Sequence, residues 1–344
     1  MNSDAIIECV PNFSEGTDSD KVKQIIAAMK VDGVRLLDWS LDSAHNRSVV
    51  TIAGPPAAVV EAAIRSVGKA AQLIDLTLQT GVHPRIGAAD VVPFVPVSGI
   101  SLAECAMLAR QAGLQIWRRY GVPVYFYGAA AARPDRVQLE DVRRGQFEGL
   151  REAVLRDAAR RPDVGGPALH PSAGASAVGA RSFLIAYNIY LEQLGATASH
   201  DTQHQSDPCS RIDDESNRKN EFQRALAAQP PDVSVARAIA REIRASAGGM
   251  HGIKAIGVVA NGRAQVSMNI TDFRMTPVRQ VHASVEQLAQ RYGVRASEGE
   301  LIGLIPEEAY EPDSPWLRQI PDFDPADKVL ERRIRSPITW PGTF

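Results

Sequence analysis

The same order of predicted elements, strand-helix-strand-strand-helix-strand, occurs twice along the 344-residue chain. The first series runs from Ala5 to Val97 and the second from Ser182 to Ile305. Short runs rich in Val and Ile predict the strands, and longer Ala-rich segments with apolar residues at helical spacing predict the helices. The fold class we predict is therefore α/β (α+β), with two βαββαβ-like subdomains whose helices pack on open sheets and a ligand cleft between them.

A segment rich in Gly, Pro, Ala and Ser, DVGGPALHPSAGASAVGA, separates the two series at residues 163–180. This composition argues against long regular structure and is typical of a linker or of a backbone wall that a ligand can approach closely. The sequence thus predicts an N-terminal subdomain at 1–164 and a Gly-rich junction at 165–180. A C-terminal subdomain follows at 181–310, with a polar insertion at 195–232, and a tail occupies 311–344.

The first subdomain continues beyond its first series. Leu102–Tyr120 has the pattern of an amphipathic helix and Val122–Tyr127 that of a strand. The charged helical pattern at 133–161 is interpreted as a solvated face. The strand at 91–97 contains two prolines, which cannot donate to a ladder, so we expect it at the edge of its sheet.

The charge balance restricts the classes of partner. There are 38 Lys and Arg residues against 40 Asp and Glu residues, a net charge of −2, so no overall field favours nucleic acid or an anionic membrane. Three scattered cysteines without a CxxC pair fit a reducing compartment. With no targeting or membrane-spanning pattern, we expect a cytoplasmic protein with small-molecule partners.

The most informative loop is TGVHPRIGAADVVPF, residues 80–94. The proline after His83 restricts the histidine to extended backbone, so His83 is presented from a loop. Histidine is the commonest general acid/base, although a loop histidine is more often structural. Arg85 on this loop and Arg47 on another can pair with ligand carboxylates, whereas Asp90 and Asp38 can accept hydrogen bonds or simply turn the chain.

Other chemistries lack their usual signs. No Walker loop, strand-GxGxxG-helix unit, GxSxG elbow or HExxH motif occurs. A metal site built from His45, His83 and Asp90 is conceivable, but the spacing is not diagnostic. His200, His204 and Cys209 lie in the polar insertion, where nothing in the sequence holds them in fixed geometry. We expect no metal.

Many motifs in order carry a family resemblance that spans Ile6 to about Pro306. They are IIECVPNFSEG, HNRSVVTIAG, GVHPRIGAADVVPFVPV, GVPVYFYG, RRGQFEGL, VGARSFLIAYNIYL and GELIGLIP. Together they resemble the glutamate formimidoyltransferase (formiminotransferase) family, without the cyclodeaminase domain that some members carry. The resemblance implies transfer of the formimidoyl group of N-formimino-L-glutamate to tetrahydrofolate in histidine degradation and one-carbon metabolism.

The resemblance also implies roles for particular residues. His83 matches the family's catalytic acid/base. The folate-binding segment matches the ten residues Gly165, Gly166, Pro167, Ala168, Leu169, His170, Pro171, Ser172, Ala173 and Gly174. We add the hypothesis that Asp38, Arg47, Arg85 and Asp90 contact the carboxylates or the amidine of the substrate.

Two other functions fit the same sequence. Transfer of a formyl group from N-formylglutamate differs by one atom, and a folate-binding protein without activity could retain the fold. The preferred folate tail length, the roles of 195–232 and of the tail, and a possible homodimer stay open.

Overall fold

The computed structural model describes residues 4–43, 45–79, 84–194, 233–336 and 340. It divides into two compact units, the larger formed by 1–185, 302–310 and 324–344 and the smaller by 186–301 and 311–323. His83, His200, His204 and Cys209 lie outside the described residues. No helix in the described ranges has both the length and the apolar run that a membrane crossing requires.

The described residues form two sheets. The larger unit holds a seven-stranded sheet of β1 (Ile6–Cys9), β2 (Asn12–Phe13), β3 (Arg35–Asp42), β4 (Arg47–Gly54), β5 (Ala89–Ser98), β6 (Val124–Gly128) and β7 (Ser176–Ala180). The second sheet has the order β11-β8-β10-β9 and consists of β8 (Ile185–Gln193), β9 (Ile253–Ala260), β10 (Arg263–Ile270) and β11 (Val294–Ile302).

Ten α-helices occur in the same ranges. They are α1 (Ser19–Ala28), α2 (Pro56–Leu73), α3 (Leu102–Tyr120), α4 (Leu139–Val142), α5 (Gln146–Arg156), α6 (Val233–Ile243), α7 (Val278–Arg291), α8 (Pro315–Arg318), α9 (Pro325–Lys328) and α10 (Leu330–Arg335). The chain order is therefore βαββαβ in both halves, apart from the short β2, and the predicted fold class is confirmed.

The large sheet is mixed. β5 pairs antiparallel with β1 and β2 on one side and parallel with β7 on the other, and β7 pairs parallel with β6. Helices α1, α2 and α3 cover one face, where Ile7, Phe13, Val50, Ile52 and Phe94 point into a single apolar core. Because side chains alternate along a strand, the neighbouring residues face the other side of the sheet.

Several predicted elements have different bounds. The strand at 91–97 is interior, not at an edge, because β5 is paired on both sides. Its prolines still accept hydrogen bonds, and Val10 N donates to Pro93 O at 3.3 Å. The helical pattern at 133–161 is broken near Gly145, which has a φ of +87°. The strand expected at 301–305 lies at Val294–Ile302, where polar residues hide it from an apolar pattern.

The hairpin of the second half matches its prediction. Asn261 and Gly262 form the turn between β9 and β10, whose registers pair Ile253 with Ile270 and Ala260 with Arg263. Both turn residues have positive φ, as a two-residue hairpin turn requires.

Candidate active site

The face of the large sheet opposite α1–α3 is apolar at both ends and polar between them. At one end Val142, Leu150 and Val154 pack on β6 and β7. At the other end Leu304 and Leu330 pack on Leu37 and Ala53. Between these two small clusters lies a polar strip, which we define as Glu8, Asn12, Arg47, Asp90 and Tyr127.

Asp90 is the centre of the strip. Its side chain is almost fully buried, and one carboxylate oxygen accepts a hydrogen bond from Ile86 N at 2.9 Å. The other oxygen pairs with Arg47 Nη1 at 3.4 Å and with Arg143 Nη2. Two guanidinium groups thus share one carboxylate in a place that is poorly solvated.

Arg47 is held in place by its neighbour across the strands. Its Nε donates to Asn12 Oδ1 at 2.8 Å, and Nη2 donates to the same oxygen. Asn12 in turn donates to Val10 O at 2.7 Å. Burial lowers the pKa of Arg47 to about 9, and the nearby Arg143 acts in the same direction. The group therefore stays charged at neutral pH.

Arg85 points to a different set of partners. Its Nη2 donates to Gln79 O at 2.6 Å and to Glu148 Oε1 at 3.1 Å, and its buried Nε has no hydrogen-bond partner among the described residues. Gln79 also donates to Glu15 Oε2 at 3.1 Å. Gln79 and Arg85 lie on opposite sides of His83 in the sequence. The hydrogen bond from Arg85 Nη2 to Gln79 O therefore joins the described residues before His83 to those after it.

Asp38 lies within β3 rather than in a loop after it. It pairs in register with Thr51 of β4, and its carboxylate lies 3.6 Å from Lys328 Nζ. The described contacts therefore bring Arg47 and Asp90 together, whereas Arg85 and Asp38 have partners of their own.

The Gly-rich segment is bonded to the base of the His83 loop. Ala175 N donates to Ile86 O and Ala88 N to Ala173 O, both at 2.9 Å. Gly174 has a φ of +68°, and a Cβ there would lie 2.1 Å from Ile86 O. Only glycine fits at 174, since both the backbone conformation and the space exclude a side chain.

The ten predicted folate residues differ in accessibility. Those at 165–168 and Pro171 are exposed, whereas Ala173 is buried in the core. His170 accepts from Ala173 N at 3.0 Å through Nδ1, and burial lowers its pKa. A Cβ on Gly165 would lie 2.5 Å from the ring of Trp117. The exposed part of the segment is thus backbone without bulky side chains beside an indole.

Three residues of this region were not predicted as site residues. Arg143 belongs to the charged segment that we interpreted as a solvated face, and that interpretation is wrong for Arg143, whose side chain is only 12% exposed. Asn12 and Tyr127 lie in the quoted motifs NFSEG and VYFYG, but nothing local to either motif indicates contact with Asp90 or its arginines.

His45 lies against Asp42, with 2.5 Å between Nδ1 and the carboxylate. Among the residues that the structure describes, no group of three or more His, Cys, Asp and Glu side chains could hold a metal ion.

Comparison with known proteins covers nearly the whole chain. Residues 6–181 match the model of the formiminotransferase domain, N-terminal subdomain, and residues 229–314 match that of the formiminotransferase domain. The chain is 37% identical over 332 residues to a glutamate formimidoyltransferase of Streptococcus pyogenes serotype M1, a match covering 96% of this chain and 98% of that protein.

Two further relatives match the chain to different extents. A glutamate formimidoyltransferase of Thermoplasma acidophilum is 37% identical over 337 residues, again with 96% and 98% covered. A formimidoyltransferase-cyclodeaminase of Mus musculus is 35% identical over 307 residues, which are 88% of this chain and 51% of that protein.

Proposed function

This chain belongs to the formiminotransferase domain family, and we propose that it transfers the formimidoyl group of N-formimino-L-glutamate to tetrahydrofolate. The products are 5-formimidoyltetrahydrofolate and L-glutamate, and the reaction belongs to histidine degradation and one-carbon metabolism. The observation that carries the proposal is the 37% identity over 96% of the chain to two relatives named glutamate formimidoyltransferase. Tetrahydrofolate is a co-substrate in this scheme, no metal is used, and the reaction takes place in the cytoplasm.

The reaction exchanges one carbon–nitrogen bond for another. N5 of the folate attacks the amidine carbon to give a tetrahedral intermediate, and the bond from that carbon to the glutamate nitrogen then breaks. One proton must leave N5 and one must reach the departing nitrogen. A single imidazole can carry both transfers, because an unperturbed histidine pKa of about 6.5 lies near the working pH. We assign this role to His83.

The substrate also needs cationic partners, since glutamate carries two carboxylates. The polar strip suits them, because Arg47 and Arg143 both pair with the carboxylate of Asp90. Arg85 is a less direct candidate, since it is bonded to Gln79 and Glu148. Asp90 is a candidate acceptor for a cationic formimino group, and Asp38 is the alternative.

The folate co-substrate is assigned to Gly165–Gly174. The exposed backbone at 165–168 supports this assignment, because a segment without large side chains lets a flat ring system approach closely. Ala173 contributes to the segment only through its backbone, since its side chain is in the core.

The test is a direct assay of both products. Purified protein is mixed with tetrahydrofolate and N-formimino-L-glutamate, and released glutamate is measured enzymatically beside the absorbance of the folate product. We expect equal amounts of the two products. A parallel reaction with N-formyl-L-glutamate tests formyl transfer, and turnover with that donor alone would replace our proposal. Folate binding without turnover of either donor would leave a binding protein.

A further inference from the structure

The hydroxyl group of Tyr127 keeps some solvent-accessible surface, and nothing in the described structure uses it. The residue is 5% exposed, and its hydroxyl has no hydrogen-bond partner among the described residues. Tyr125 lies two residues earlier on β6 and therefore on the same face, but its hydroxyl donates to Arg160 O at 2.7 Å. The hydroxyl of Tyr127, unlike that of Tyr125, is therefore open to a partner from a ligand.

The position of the Tyr127 ring depends on the strand beside it. Tyr127 pairs in register with Gly179 of β7. A Cβ on Gly179 would lie 2.5 Å from Cδ1 of the tyrosine and 2.6 Å from Cε1. The ring thus lies across β7 in space that only glycine leaves open, and this directs the hydroxyl over the sheet rather than away from it.

Two arginines, Arg143 and Arg181, lie near that hydroxyl. Arg181 lies two residues after Gly179. Its backbone N donates to Phe94 O at 3.1 Å, so the chain is still paired there, and Arg181 is on the same side of the extended chain as Gly179. Val142 packs in the same small cluster as the ring and precedes Arg143, the partner of Asp90. Arg143 also has a buried Nε without a partner among the described residues.

The hydroxyl is protonated under working conditions. Burial raises the pKa of Tyr127 to about 12, even though Arg181 and Arg143 act to lower it. The group is therefore a neutral donor near guanidinium groups, which is a combination that suits an anionic ligand.

We propose that Tyr127, seated over Gly179, donates a hydrogen bond to a carboxylate of the glutamate-bearing substrate, with Arg143 and Arg181 supplying the positive charge. This inference rests on the proposed function and specifies which side chains select a dicarboxylic donor. It predicts a binding role for Tyr127, not a role in proton transfer.

The test is the variant Tyr127→Phe, which removes one oxygen and keeps the ring. A hydrogen bond to a charged group accounts for about a 10- to 100-fold effect on affinity. We expect the KM for N-formimino-L-glutamate to rise by that factor while kcat and the KM for tetrahydrofolate change less than about threefold. Tyr125→Phe is the matched control, since it removes a hydroxyl two residues away that already has a backbone partner, and both KM values should stay unchanged.

A second measurement does not depend on turnover. Calorimetric titration with L-glutamate should show the same loss of affinity in Tyr127→Phe, and Gly179→Ala should weaken binding at least as much because its methyl group displaces the ring. Unchanged glutamate affinity in either variant, or a lower melting temperature as the only effect, would overturn the inference.

The proposed function and the Tyr127 subsite can be refuted separately. Wild-type protein that binds L-glutamate but does not turn over N-formimino-L-glutamate would refute the proposed function, while Tyr127→Phe would still decide the subsite by calorimetry. Normal turnover with a KM unaffected by Tyr127→Phe would refute the subsite alone. Wild-type protein that binds neither glutamate nor its formimino derivative would refute both.

Discussion

Replacing Glu8 by Gln is expected to stabilise the protein at alkaline pH. Glu8 lies on β1 at one end of the polar strip and is 2% exposed. Burial raises its pKa from 4.5 to about 7, against a lowering effect of Arg181. The folded protein therefore binds this proton more tightly than the unfolded chain does, so the free energy of unfolding falls as the pH rises from 4.5 to about 7.

The size of the effect follows from the two pKa values. One pH unit corresponds to about 1.4 kcal/mol, so a rise from 4.5 to about 7 corresponds to about 3 kcal/mol. Gln resembles the protonated carboxyl group and cannot ionise. Glu8→Gln should therefore match wild-type stability near pH 4.5 and exceed it by about 3 kcal/mol at pH 8.

The assay is urea unfolding of wild-type and variant protein at several pH values between 4.5 and 8, with the difference between the two proteins taken at each pH. Glu15→Gln is a control of opposite sign. Burial acts to raise the pKa of Glu15, but hydrogen bonds from Asp18 N, Thr17 N and Thr17 Oγ1 outweigh it and the pKa is lowered. Glu15→Gln should thus be destabilising at pH 8 and less so in acid. A stability difference for Glu8→Gln that does not grow with pH would refute the reasoning.

Three further variants test the site. His83→Ala should lower turnover by about 10²- to 10⁴-fold with unchanged tetrahydrofolate affinity, measured by stopped assay and fluorescence titration, and equal loss of both would indicate a structural histidine. Asp90→Asn removes the carboxylate that two guanidinium groups share and should lower the free energy of unfolding by about 3–5 kcal/mol, whereas Asp135→Asn, at an exposed pair, should change it little in the same urea titration. Gly174→Ala should weaken tetrahydrofolate binding and lower the melting temperature more than Gly262→Ala, whose φ is similar but whose surroundings are open; equal effects would argue against the close contact with Ile86.

The secondary structure that could be predicted from the sequence is the part set by local patterns. Helix α3 has exactly the predicted bounds, because Ser101 and Glu104 form a capping box and Gly121 ends the helix at a φ of +64°. The turn at Asn261 and Gly262 is likewise specified by two adjacent residues. The bounds of α3 and the turn at Asn261 and Gly262 are thus both determined by residues within or next to the element itself.

Strand β7 could not be predicted in this way. Its sequence, SAVGA, is part of the Gly- and Ala-rich segment that resembles a linker, yet all five residues are buried between β5 and β6. Small side chains are needed there because other parts of the protein approach closely, as Tyr127 does at Gly179. Because the need for small side chains in β7 comes from neighbouring strands, it produces no periodic pattern in the sequence of β7.

The same reasoning explains which site residues were found. Arg47 and Asp90 were singled out because each stands at a strand end in a motif with charged neighbours, and the fold pairs them at 3.4 Å. Arg143 is 53 residues from Asp90, and the arginine that follows it, Arg144, is exposed and bonded to Asp141. The two arginines are adjacent in sequence, and the one that reaches Asp90 directly follows Val142, which packs against the sheet. Charge patterns therefore indicate that a segment is polar, whereas the tertiary contacts of a neighbouring apolar residue determine which of its charges reaches the site.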